Sequence, residues 1–203
     1  MSAKRNLAVV GCRTHTGWAV LVVIAGDVEH MHVVARRRVD LVDSVATLPR
    51  AVYQRSRGLP PTDAAARVAA VRRIATKRAE AALESATGEA QDAGFGVQRC
   101  GVVVGDLSAE IPLESILASH ALAHAAEGRL YQEALLDGAE ASGLEPIAVA
   151  RASIWDEAYW ALGVSVDELG RRLGDLRREV GAPWGEDQKL AALAALLAHA
   201  APT

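Results

Sequence analysis

Aromatic residues are scarce in this sequence: four Trp, three Tyr and one Phe make up 4% of 203 residues. A core must therefore be packed from Ala, Val and Leu, and the 51% hydrophobic content is ample for one. Cysteine is nearly absent. Cys12 and Cys100 cannot make a disulfide framework, and they fit a reducing compartment. The formal charge of −3 excludes a protein that coats nucleic acid by bulk charge, while leaving room for a local basic patch. Long apolar runs are missing as well. Residues 7–10 are too few for a signal peptide, and Trp18–Ala25 falls well short of the about 20 residues that span a bilayer. A soluble cytoplasmic protein with no membrane partner is expected, as one domain over 1–203. There is no Walker-type loop, nucleophile elbow or Cys-x-x-Cys pair, so nucleotide hydrolysis, serine-hydrolase chemistry and a zinc ribbon have no support.

What is present is a regular alternation of elements. Residues 7–11 and 18–25 are β-type runs, and Gly26-Asp27 makes a turn into a third run over 28–39. The cluster Arg-Ser-Arg-Gly-Leu-Pro-Pro marks 50–61 as a loop. Thr62-Asp63 then caps a long helix over 64–93 with apolar residues at helical spacing. A fourth strand is expected at 97–104, a helix from 111 to about 143, and a fifth strand at 144–151. Shorter helices follow at 153–162 and 165–179, and a last helix at 186–200.

The helix after the fourth strand carries His120, His124 and Glu127 at i, i+4 and i+7, within an arc of roughly 60° at about 100° per residue. Leu113, Ile116, Leu117, Leu130, Tyr131, Ala134 and Leu135 fall on the same face, so the ionisable groups are expected in an apolar stripe. Groups placed there need partners or a metal. Paired histidines one turn apart suit zinc or another transition metal, with Glu127 as a third ligand or as the group that fixes a tautomer. The competing reading is a buried hydrogen-bonded network with no ion. Asp106 follows Gly105 at a strand's carboxyl end, where α/β sheets bind ligands, although a turn aspartate would occupy the same place. Asp187 lies on the inward stripe of the last helix, and a helix-start acid is the plainer alternative. The run Arg36-Arg37-Arg38 offers phosphate contacts or simply a solvated face.

The order β-β-β-α-β-α-β-α, three antiparallel strands followed by parallel ones, is that of the ribonuclease H-like fold. Within that superfamily the segment Thr16-Gly17-Trp18-Ala19-Val20 resembles the start of the second strand in the RuvC-type resolvase branch. The resemblance implies an α/β protein with a mixed five-stranded sheet and helices on both faces. It also implies nucleic acid as partner and divalent metal (Mg, Mn or Zn) as cofactor, held by acids on strand one, at the end of strand four and on the last helix. By position Asp106 and Asp187 match the second and third of these. A combined metal set would be Asp106, His120, His124, Glu127 and Asp187, with Asp106, Glu127, Asp187 and His124 as catalytic groups. Arg13 and His15, in the loop over the expected site, would contact substrate. The first strand departs from the pattern: it ends Val9-Val10-Gly11-Cys12-Arg13, where the family has an Asp. Two functions follow, metal-assisted phosphodiester hydrolysis or a non-catalytic ribonuclease H-like scaffold that binds a protein or nucleic-acid partner.

Overall fold

The structure is a computed structural model of the chain and describes residues 6–43, 48–105 and 111–202. Its centre is one five-stranded sheet of order β3-β2-β1-β4-β5, formed by β1 (Leu7–His15), β2 (Trp18–Ala25), β3 (His32–Asp40), β4 (Gly96–Val104) and β5 (Glu145–Ala150). The first three strands pair antiparallel, and β4 and β5 add in parallel. The two-residue turn Thr16-Gly17 closes the first hairpin, with Gly17 at φ 83°, a conformation that favours glycine. The third strand starts later than its sequence suggests, because Asp27 draws residues 29 and 30 into a turn by accepting hydrogen bonds from their amides at 3.0 and 2.9 Å. His30 is thus outside the strand.

Alternation along β1 assigns its side chains to two layers. Ala8, Val10 and Cys12 face a core shared with α2 (Pro61–Asp92) and α4 (His120–Ala141). On α2 the buried positions Val71, Ala75, Ala79, Leu83, Ala86 and Ala90 recur every three or four residues, as one helix face requires. Val9 faces the opposite core, built with α5 (Ile154–Leu162), α6 (Val166–Val180) and α7 (Glu186–Ala200). There α7 lies directly on the sheet. A Cβ on Gly11 would stand 1.8 Å from the Ala191 carbonyl oxygen, and one on Gly101 would stand 2.1 Å from that of Ala194. Small residues on both surfaces allow this approach, and Leu190 to Ala198 are all buried.

Two local expectations are corrected. Residues 50–61 are not all loop, since they hold the short helix α1 (Val52–Ser56). The segment after β4 is not one helix. It breaks at Ser119 between α3 (Leu113–Ala118) and α4, and the Ser119 hydroxyl caps α4 by accepting from the Leu122 amide at 3.3 Å. Cys12 and Cys100 are free thiols in the core, with sulfurs 3.7 Å apart. No helix among the described residues is long and apolar enough to cross a membrane.

Candidate functional site

Because β1, β4 and β5 run parallel, their carboxyl ends share one edge of the sheet, and α7 begins at that edge. Arg13 and His15, expected in a loop, lie instead within β1, which stays paired with β2 up to the Thr16-Gly17 turn, and they follow Val9 and Gly11 on its α7 side. His15 Nε2 meets Asp187 Oδ1 at 2.8 Å, joining residues 172 apart in sequence. Both side chains are about one-third exposed, so the pair is reachable from solvent. The tight turn sets Trp18 opposite His15 in the hairpin register, and the two rings stack at 4.1 Å and 8°. The Arg38 guanidinium lies 4.3 Å from the centre of the Trp18 ring. His15 is therefore fixed twice, on its face by Trp18 and at Nε2 by Asp187.

Arg13 lies beside this pair. Its Nη1 donates to the Thr14 carbonyl at 2.8 Å, while its Nε is buried with no hydrogen-bond partner. Burial first, and then the nearby positive charge of Arg151, hold the Arg13 guanidinium below its ordinary pKa, opposed by Asp187 and Glu186. Arg151 follows β5 on the same side of the sheet as Val149 and bonds Glu186 Oε1 at 3.3 Å. Two guanidiniums thus flank the first turn of α7.

The residues expected to hold metal are divided by the sheet. Glu127 is buried on the α2–α4 side, and Asp187 stands on the α7 side. Glu127 accepts from the Gln54 amide at 3.0 Å and from the Tyr53 amide. These are first-turn amides of α1, a helix with no side-chain cap of its own. Burial raises the Glu127 pKa, and the two amides and His124 partly offset that rise. The histidines are not in the apolar stripe: His120 and His124 are both exposed. His120 bonds the Gln54 side chain through Nδ1 at 3.1 Å. The three residues share a helix face, but α1 buries only Glu127, while its Gln54 side chain reaches His120 at the surface. Asp106 lies outside the described residues. Among the described residues no group of three or more His, Cys, Asp and Glu side chains is placed to hold a metal.

A two-metal centre needs several converging carboxylates. The described part of this edge supplies two, Asp187, bonded to His15, and Glu186, bonded to Arg151, and it sets the guanidinium of Arg13 beside them. That donor set does not fit the metal pair. The basic run in β3 is largely committed to internal contacts. Arg36 donates to the carbonyls of Val180, Gly181 and Ala182 at 3.0 to 3.2 Å and to that of Pro183. Arg37 pairs with Ser85 and Glu89. Sequence reasoning missed Trp18 and Arg151 as site residues, and it singled out Arg38 only as part of a basic run. Trp18 had a local signal, its position opposite His15 across a two-residue turn.

Sheet order, strand directions and helix placement define the ribonuclease H-like fold, and the chain has it. The chain is similar to Thermus thermophilus RuvC, at 14% identity and a TM-score of 0.52, over 96% of this chain and 93% of that one. It is also similar to T. thermophilus RuvC solved in complex with Holliday junction substrate, at 14% identity and a TM-score of 0.51, over 96% and 92% of the two chains. No family model matches the sequence, and no curated protein does.

Proposed function

We propose that this chain is a ribonuclease H-like protein that binds nucleic acid at the carboxyl edge of its sheet and does not hydrolyse it by a two-metal mechanism. The observation that carries this reading is Arg13, a half-buried cation at the end of β1 beside two carboxylates, Asp187 and Glu186, that are each bonded to another residue. A guanidinium there attracts a phosphodiester and repels a divalent ion. The solved complex of T. thermophilus RuvC with Holliday junction substrate supports nucleic acid as the partner class. His15 and Asp187, each about one-third exposed, and the more exposed Arg38 give the edge a polar, accessible surface.

Fluorescence anisotropy with labelled single-stranded, duplex and four-way branched DNA tests the reading. At low salt at least one of these is bound, and the affinity falls as salt rises. Failure to bind any of the three, or any matching RNA, at protein concentrations of about 100 μM sinks it. The same substrates incubated with Mg²⁺ or Mn²⁺ remain intact. Cleavage that Asp106→Asn abolishes would overturn the non-catalytic part and restore the hydrolytic one.

A further inference from the structure

We infer that Arg13 and Arg151, with His15 between Trp18 and Asp187, form a phosphate-binding site that uses fixed protein cations where a metal-dependent relative would use ions. The inference deepens the nucleic-acid reading by naming the group that is gripped and the atoms that grip it.

Three features of Arg13 converge on an anion. It is held near a second guanidinium, with Asp187 and Glu186 as opposing charges, and a bound phosphate would add to that opposition. Among the described residues it has no carboxylate within ion-pair distance, because Asp187 is turned to His15 and Glu186 to Arg151. Its Nε–H is buried without an acceptor, a cost of about 1–3 kcal/mol that a phosphate oxygen would remove. The placement follows from the fold. Arg13 is in register with Val103 of β4, and Val103 with Val149 of β5, so Arg151 projects from the same layer two strands away. At about 4.8 Å per strand this leaves a gap that two long side chains can close around one phosphate. A guanidinium presents paired N–H donors in a plane, the geometry that matches two phosphate oxygens. Because Nε2–H of His15 donates to the Asp187 carboxylate, the Nδ1 edge supplies a further donor only in the doubly protonated ring.

The site makes binding independent of divalent ions. Inorganic phosphate and a nucleoside monophosphate, each added to the wild-type protein in EDTA, should move the Arg13 Nε–H resonance and leave that of Arg171, a surface residue on α6, in place. Arg13→Gln and Arg151→Gln should each weaken DNA binding about tenfold and lower the slope of log affinity against log salt by about one. Arg171→Gln should change neither. EDTA should leave wild-type DNA affinity unchanged. If phosphate moves no Arg13 resonance and both variants, folded by circular dichroism, bind DNA as wild type does, the site is refuted while the nucleic-acid reading stands. If phosphate binds at Arg13 and no DNA or RNA does, the site stands and the nucleic-acid reading fails.

Discussion

Replacing Gly11 with alanine should separate α7 from the sheet, and the size of the effect follows from one contact. The added methyl would lie 1.8 Å from the Ala191 carbonyl oxygen and 2.8 Å from the Ala195 amide nitrogen. Cβ atoms essentially never stand closer than 3.0 Å to such atoms, so α7 must retreat by about 1.2 Å or β1 must bend by as much. Neither neighbour can rotate away, because both are backbone. A gap of that size forfeits half or more of the dispersion energy at the interface. The helix concerned buries nine consecutive residues, Leu190 through Ala198. Overpacking usually costs 1–3 kcal/mol, and this case belongs at or above the upper end, about 3 kcal/mol. With an m-value of about 2 kcal/mol/M, the urea midpoint falls by about 1.5 M. Gly88→Ala is the control: it lies within α2, nothing lies within 4 Å of its added Cβ, and it should gain about 0.5–1 kcal/mol. A Gly11→Ala midpoint within about 0.3 M of wild type at unchanged m-value would refute the reasoning, since α7 could not then be seated as described.

Glu127 has a folded-state pKa raised by burial, so the folded protein binds its proton more tightly than the unfolded chain. Its favourable contribution is full below the ordinary carboxylate pKa and is lost as pH rises through the raised folded value. Glu127→Gln removes that dependence while leaving an acceptor for the Gln54 amide. The variant's stability relative to wild type should therefore rise between about pH 4 and pH 7, and urea melts showing a constant difference would contradict the assignment. Arg36→Lys replaces a fork that reaches four carbonyls at the end of α6 with a single ammonium. It should cost about 1–2 kcal/mol and speed amide exchange in the last turn of α6, whereas unchanged exchange there would show that the carbonyls find other partners.

The sheet was legible because its signals are local. Apolar runs bounded by Thr16-Gly17, Gly26-Asp27 and Gly105 gave five strands, and their order gave the topology. The last helix could be bounded at Glu186–Ala200 because a Gly-Ala-Pro-Trp-Gly breaker precedes an unbroken Ala/Leu run. Site residues were legible only as types. His15 and Arg13 could be placed over the edge and Asp187 on an inward stripe, but their partnership depends on contacts 172 residues apart. That His120, His124 and Glu127 are not gathered into a metal-holding group among the described residues has a physical cause. Helical spacing gives direction around an axis, whereas burial depends on what covers each turn. The α1 segment covers Glu127, converting an expected ligand into a cap for another helix's amides. Nothing local to 119–131 records that α1 exists.

The glycine that seats α7 and the cations that flank it are linked parts of one arrangement. Gly11 lies four residues before His15 on β1, and Asp187 lies four before Ala191 on α7. The backbone approach at Gly11 and Ala191 therefore fixes the distance at which His15 and Asp187 meet one turn further along. With Asp187 turned to His15, its negative charge is shared with an imidazole rather than aimed at Arg13. Arg13 thus keeps an unpaired Nε–H donor at the sheet edge. On the proposed reading, a cation held at the end of β1 lets the edge attract a phosphate directly. A variant that loosens α7 should consequently weaken nucleic-acid binding even though Gly11 touches no ligand, and it should do so together with the loss of stability.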